Sequence, residues 1–402
     1  MRTAKAIPAG PAAVRDAAGP APVRDVISPA PVWDVINGFT SYWALSAALD
    51  LGVFDALAED AVSGTGLDAG QLAAAIGAAG PGPVTVLAET LVALGLLSTA
   101  GDRFRLTPAA ERYLVSTAPA SMAALVRYSP GPPEAWPGLA DTIRTGAPEP
   151  GVTAGLTGLY PALVRATGPT QSAVATAVAA ELERLGLWPD QPTIVDLGCG
   201  SGAWLTALLR TRPKGTVIAV DLPNVLPIAE QAAADAGLRE RVIAVPGDYL
   251  DVTLPVAAAD VVVLAHVLRA EPAVRARKLL ARAVELAGAD GVVVVVDYPR
   301  PDPARTGHSE NNNNNDNGTD NGTDNGTDTD GGEDGRGAVC VAARHELLLS
   351  LTMLASTAGL GVTVADLREW AEAAGAEPAG AFEPVPRQHV RLIRSRTPEA
   401  TS

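Results

Sequence analysis

The chain has 402 residues, 47% of them hydrophobic, and a formal net charge of −15. That length exceeds what one small core needs, so two domains are expected. The acidic balance argues against nucleic acid or an anionic membrane as partner. Eight acids without a base fall within 310–334, and removing them takes −15 to −7, an ordinary value. Cys199 and Cys340 are the only cysteines. They are too few for a disulfide framework and form no CxxC metal pattern. The N-terminus has no continuous apolar segment of the signal-peptide kind, and no apolar run approaches about 18 residues. A cytoplasmic chain without membrane spans or bound metal is expected.

Residues 1–30 are rich in Ala, Pro and Gly without a sustained period, which predicts a disordered tail. From 31 the pattern turns helical. Ile36, Phe39, Trp43 and Ala47 form a first stripe ending near Gly52, and Leu67, Leu72 and Ile76 a second. Val84, Leu87, Leu91 and Leu94 form a third, stopped at Gly95. Phe104-Arg105-Leu106 is extended, and Thr107-Pro108 opens another helix. Helices followed by a strand pair predict a winged-helix domain over 31–125. Its third helix carries Glu89 and no Lys or Arg, so DNA binding is disfavoured for want of phosphate-neutralising cations. A dimerisation or lid role is expected instead.

Residues 126–190 read as connecting helices. Beyond them the pattern alternates. Apolar runs at 194–195, 216–220, 242–245, 261–264, 292–296 and 390–393 are separated by helical stretches near 204–210, 223–236, 274–287 and 364–374. Thr363 with Asp366 forms a capping box at the last of these. Nearly continuous Val/Ile runs spaced by helices predict an α/β fold with a doubly wound parallel sheet over 191–398. Ligands bind such sheets at the carboxyl ends of the strands. The stretch 309–336 holds five consecutive Asn and three Asn-Gly-Thr-Asp repeats. It cannot bury apolar surface, so a disordered insert is expected there.

The run Asp196-Leu197-Gly198-Cys199-Gly200-Ser201-Gly202 follows the first strand of this domain, and Asp221 ends the second, nineteen positions after Gly202. Glycines allow positive φ and close backbone approach to a ligand. An acid at the second strand end accepts hydrogen bonds from ribose hydroxyls. A nucleotide-bearing cofactor is expected.

With Asp221-Leu222-Pro223 and Gly247-Asp248-Tyr249 added, the chain resembles the S-adenosylmethionine-dependent small-molecule O-methyltransferases of bacteria and plants. The likeness spans roughly 34–395 and includes Leu51-Gly52-Val53-Phe54 and Phe104 to Pro108. It implies a Rossmann-like methyltransferase domain, an N-terminal winged-helix domain that forms a homodimer, and S-adenosyl-L-methionine as cofactor. Asp196, Gly198, Gly200 and Gly202 would line the cofactor's methionine part. Asp221 would hold its ribose, Leu222 would flank its adenine, and Asp248 would accept from the adenine amino group beside Tyr249. The helix near Trp204 would floor the pocket. Trp136, Tyr160 and Trp188 would wall the substrate pocket.

One departure bears on the chemistry. Where the family carries a basic histidine in a His-Asp-Trp element, this chain has Arg269-Ala270-Glu271. Arginine stays protonated and cannot act as a base. His266, three positions earlier and on the same face of the expected helix, is the alternative base, with Asp297 to orient it. Arg269 would instead hold a substrate carboxylate or phenolate. The expected activity is methyl transfer to a hydroxyl of an aromatic or polyketide-like secondary metabolite. Two other readings stand beside it. One is a non-methylating relative (hydroxylase, decarboxylase or cyclase) that keeps the sulfonium as an electrostatic element; the other is a cofactor-binding scaffold.

Overall fold

The computed structural model describes residues 28–60, 64–128, 131–302 and 343–396. The expected tail, apart from residues 28–30, and the whole acidic insert lie outside them. Packing divides the chain into two compact units, residues 1–105 and 106–402.

The first unit contains helices α1 (Ala30–Asp50), α2 (Val53–Asp60), α3 (Ala69–Ala75) and α4 (Pro81–Ala93), with strands β1 (Leu67–Asp68), β2 (Leu97–Ala100) and β3 (Arg103–Leu106), whose last residue crosses the division. The three strands pair in the order β1-β3-β2. The helix expected from Leu67 starts later, because Leu67 pairs with Phe104 across the sheet. Asp68 then caps α3: its Oδ1 accepts from Gly70 N and Gln71 N, both at 2.9 Å, and Gln71 returns a bond to Asp68 N. Phe54, Leu72, Leu91 and Leu97 are fully buried. In α1 only Ala48 is buried. Val32, Trp33, Val35, Ile36, Phe39 and Trp43 are exposed, Trp33 at 56% and Phe39 at 71%.

The second unit opens with α5 (Pro108–Tyr113), capped by the Thr107 hydroxyl, then α6 (Ala123–Val126), α7 (Leu139–Thr145) and the long α8 (Pro150–Arg184). Strand and helix then alternate: β4 (Thr193–Leu197), α9 (Ala203–Thr211), β5 (Thr216–Asp221), α10 (Leu226–Asp235), β6 (Val242–Pro246), β7 (Val261–Ala265), α11 (Ala273–Ala287) and β8 (Val292–Asp297). After the insert come α12 (Arg344–Thr357), α13 (Val364–Ala373), β9 (Ala376–Val385) and β10 (Gln388–Ser395). Thr363 and Asp366 form the expected capping box on α13.

The seven strands form one sheet in the order β6-β5-β4-β7-β8-β10-β9. Five are parallel, but the expectation of a wholly parallel sheet is corrected. β10 runs antiparallel to β8, and β9 antiparallel to β10. Successive strand residues feed opposite faces, as the pleat requires. Ile194, Val217, Val261 and Val292 pack with α8, α9 and α10. Val195, Ile218, Val262 and Val293 pack with α11 and α13. The strand order reverses between β4 and β7, which opens a crevice at their carboxyl ends. No helix of the described residues is long and apolar enough to cross a membrane.

Candidate active site

The glycine run sits at that reversal. Gly198 leaves β4 at φ +88°, and a Cβ there would stand 2.5 Å from Val267 Cγ1, in the turn after β7. Gly202 opens α9 at φ +76°, with Ala229 Cα of α10 2.9 Å from where its Cβ would lie. Asp221 ties the loop down from β5. Its Oδ2 accepts from Gly200 N at 2.8 Å and its Oδ1 from Leu222 N at 2.7 Å. Burial raises the Asp221 carboxyl, and these two bonds oppose the rise.

Asp196, in β4, is 1% exposed, and its Oδ2 has no partner. Burial first, then the Asp221 charge, pushes its carboxyl up to about 8. Asp196 is therefore largely neutral at pH 7, which removes a second buried charge from beside Asp221. Cys199 is buried, and burial holds its thiol well above the ordinary range, so it is no nucleophile.

On the other side of β5, Asp248 Oδ1 accepts from Leu250 N at 2.9 Å, and Oδ2 pairs with Arg275 at 2.8 Å. Arg275 Nε also meets Glu271 at 2.6 Å, and Glu271 accepts from the Tyr249 hydroxyl. A Tyr249–Glu271–Arg275–Asp248 chain thus fixes the Asp248 carboxylate. Tyr160, in α8, is half-buried within range of this group. Burial and the Glu271 and Asp221 charges push its phenol up to about 12. Trp136 is half-buried after a short turn, Pro133–Ala135.

Trp188 does not belong to a pocket wall. It is core, 6% exposed; its Nε1 donates to Thr211 Oγ1 at 3.2 Å, and Arg212 lies over its ring. Thr211 ends α9, so Trp188 lies at the end of that helix away from the glycine loop.

His266, Arg269 and Asp297 do come together, but not on one helical face. β7 ends at Ala265, His266 takes φ +61°, and only a short 3-10 turn, Leu268–Ala270, follows. The His266 backbone N donates to Val296 O at 2.8 Å, which holds the turn against β8. Its Nε2 lies 2.9 Å from Gln171 Oε1. The same oxygen accepts from Trp204 Nε1 at 3.3 Å. An indole N–H can only donate, so this oxygen is an acceptor and His266 Nε2 carries a proton. That leaves Nδ1 as the free nitrogen, 3.8 Å from Asp297 Oδ1. Burial lowers the His266 pKa below 6.5, opposed by Asp297. The ring is therefore neutral at pH 7.

Asp297 ends β8. Its Oδ1 accepts from Tyr298 N at 2.9 Å and its Oδ2 from Arg269 N at 3.3 Å. The Arg269 guanidinium lies 5.2 Å over the Tyr298 ring. Gln171 and Tyr298 carry no local sequence signal, because the His266, Trp204 and Arg269 side chains they meet lie far along the chain. Glu271 and Arg275 left one local signal, an acid four positions before a base.

The O-methyltransferase domain family matches residues 170–312, and the O-methyltransferase dimerisation domain family matches residues 33–116. The chain is 32% identical over 270 residues to the N,N-dimethyltransferase OxyT of Streptomyces rimosus, covering 65% of this chain and 76% of that protein. It is 27% identical over 375 residues to the 3-hydroxy-5-methyl-1-naphthoate 3-O-methyltransferase of Streptomyces sahachiroi, covering 90% and 91%. Its fold is similar to that of human N-acetylserotonin methyltransferase in complex with SAM (TM-score 0.69, 24% identity, 93% of this chain and 99% of that one).

The residues present fit S-adenosylmethionine. The glycine loop takes positive φ at Gly198, Gly200 and Gly202 at the carboxyl end of β4, where sheets of this kind bind their ligands. Each Asp221 oxygen has received one N–H, and a carboxylate has about four lone-pair sites, so acceptor capacity remains for ribose hydroxyls. Asp196 keeps a buried oxygen without a partner nearby. With this loop, this acid and both family matches, the chain belongs to the S-adenosylmethionine-dependent small-molecule O-methyltransferases.

Proposed function

We propose that this enzyme methylates a hydroxyl of an aromatic or polyketide-like secondary metabolite and works as a homodimer. The observation that carries the reading is the Asp221 clamp on the glycine loop at the sheet's reversal point. The naphthoate methyltransferase relative, matched along nearly its whole length, supports a flat aromatic acceptor. Tyr160 and Trp136 would wall the acceptor's side.

When bound, S-adenosylmethionine supplies an electrophilic methyl group on a cationic sulfur. The chain's own residues bind and orient. Gly198, Gly200, Gly202 and Asp196 would border the methionyl part, Asp221 would accept from the ribose, and Leu222, Asp248 and Tyr249 would enclose the adenine. The Arg275–Glu271 pair would keep the Asp248 carboxylate aimed. Holding the acceptor oxygen in line supplies much of the rate enhancement. His266 would take the acceptor's proton at Nδ1, its neutral ring being ready at pH 7, and Asp297 would stabilise the imidazolium formed.

The homodimer reading rests on α1. A run of exposed large apolar residues on one helix marks an interaction surface, and all but the first three residues of this helix lie within the matched dimerisation domain. A second copy of the chain would cover it.

The relative OxyT, an N,N-dimethyltransferase, favours a second acceptor atom, nitrogen. Incubation with S-adenosylmethionine and a panel of hydroxyaryl and aminoaryl compounds separates the two. S-adenosylhomocysteine formed in step with an O-methylated product supports the oxygen reading. An N-methylated product transfers it to nitrogen, and a product made with the cofactor unconsumed overturns both.

A further inference from the structure

The Arg269 side chain is 19% exposed, yet its Nε and NH1 are buried without a hydrogen-bond acceptor. The nearest carboxylate does not satisfy them. Asp297 Oδ1 stands 3.5 Å from Nε, an ion-pair contact that makes no hydrogen bond to it, and the two Asp297 oxygens receive backbone N–H groups from Tyr298 and Arg269 instead. An unmet buried donor is destabilising, and a guanidinium forms strong, directional, charge-assisted hydrogen bonds to oxyanions. The Tyr298 ring lies beneath the guanidinium at 5.2 Å and sets its position. Two buried acceptors in the same cluster also lack donors, His266 Nδ1 and Gln388 Oε1. Gln388 opens β10 at 4% exposure, and its amide is near both the His266 and Tyr298 side chains.

The cluster therefore offers donors to an oxyanion beside acceptors for a hydroxyl, at the carboxyl ends of β7 and β8. We propose that Arg269 determines acceptor specificity by binding an ionised oxygen, so the preferred acceptor is a flat hydroxyaryl compound that also carries an oxyanion. This rests on the methyltransferase reading above and names its substrate class. Two sources of the oxyanion share this chemistry: a ring carboxylate and an acidic enol. Asp297 balances the guanidinium's charge while leaving its hydrogen bonds free, so the site keeps its donors without holding a bare buried cation.

The test is titration of the full-length protein with three probes, each with and without saturating S-adenosylhomocysteine. The probes are 3-hydroxy-2-naphthoate (carboxylate), 2,5-dihydroxy-1,4-naphthoquinone (ionised enol beside a phenol) and 2-naphthol (neutral). At least one anion should bind 10-fold or more tightly than 2-naphthol, and which one does identifies the source. Arg269→Met should bring that ratio close to one, and Arg269→Lys should keep part of it. S-adenosylhomocysteine affinity should stay within threefold in both variants. If Arg269→Met does not fold, Tyr298→Leu is expected to shrink the ratio at least threefold. No preference in the wild type, no binding of any probe, or a preference that survives Arg269→Met overturns the proposal. Loss of S-adenosylhomocysteine binding in the wild type itself would instead remove the cofactor reading, while an anion preference seen without it would stand.

Discussion

Asp221 Oδ2 accepts a hydrogen bond from Gly200 N at 2.8 Å, joining the end of β5 to the glycine loop that leaves β4. One carboxylate thus shapes the loop and keeps lone pairs for the ribose hydroxyls that the proposed function assigns to it.

Asp221→Ala removes both functions. Hydrogen bonds to a charged group contribute about 1.5–3 kcal/mol each, so S-adenosylhomocysteine affinity should fall by roughly 10- to 150-fold per bond lost. Calorimetric titration of the variant reads this directly. Unchanged affinity would show that the ribose is held elsewhere.

The glycines differ in what they tolerate. At Gly202 a methyl group meets Ala229 backbone at 2.9 Å as well as a positive φ. At Gly200, also at positive φ, it meets the Val164 side chain at 3.5 Å and Gly198 O at 4.0 Å, both ordinary contacts. Gly202→Ala should therefore cost about 2–4 kcal/mol, combining strain and overpacking. Gly200→Ala should cost about 1–2 kcal/mol, from backbone strain. Chemical denaturation of both variants checks the order, and equal losses would contradict the packing argument.

Asp196 predicts a pH dependence with a definite sign. The unfolded chain releases this proton near 3.8, and the folded chain keeps it to about 8. Between those values the folded state binds the extra proton, so this residue's contribution to stability falls as pH rises and levels off above 8. Asp196→Asn should have little effect on stability near pH 4 and gain over the wild type toward pH 8. The difference in melting temperature between variant and wild type should therefore widen steadily as pH rises from 4 to 8. Parallel melting curves across that range would refute the shift.

His266→Ala should lower kcat by about 100-fold if His266 takes the proton. The wild-type rate should fall on the acid side with a pKa below 6.5, because burial lowers this histidine. A variant that keeps full kcat and the same pH profile leaves positioning as the whole mechanism.

Much of the fold was legible because Val and Ile runs mark buried strands, and the glycine run Gly198–Gly202 with the acids at Asp221 and Asp248 falls at the ends of those runs. The first five strands of the main sheet fell where the apolar runs lay. β9 did not, since Pro378, Gly380 and Pro384 interrupt an edge strand that is mostly exposed. Nor could the direction of β10 be read, because periodicity carries no strand polarity. Pro161 and Pro169 disguised α8, whose 35 residues accommodate both. The cluster around His266 depends on Gln171, 95 positions away, and such pairings leave no local pattern. The left-handed turn at His266 was hidden for a related reason. Helical spacing from Arg269 assumes a helix, and the chain forms one only from Ala273.

The dimer reading has its own check. Phe39→Glu, placed on the open face of α1, should convert a dimer to a monomer in light scattering while each chain keeps its melting transition. A dimer that persists would move the interface elsewhere.

The most direct test of the account is calorimetric titration of the wild-type chain with S-adenosylmethionine and S-adenosylhomocysteine. The account predicts one site per chain for each ligand, at micromolar dissociation constants. No heat with either ligand from folded protein would contradict it, because the glycine loop and Asp221 would then hold no cofactor.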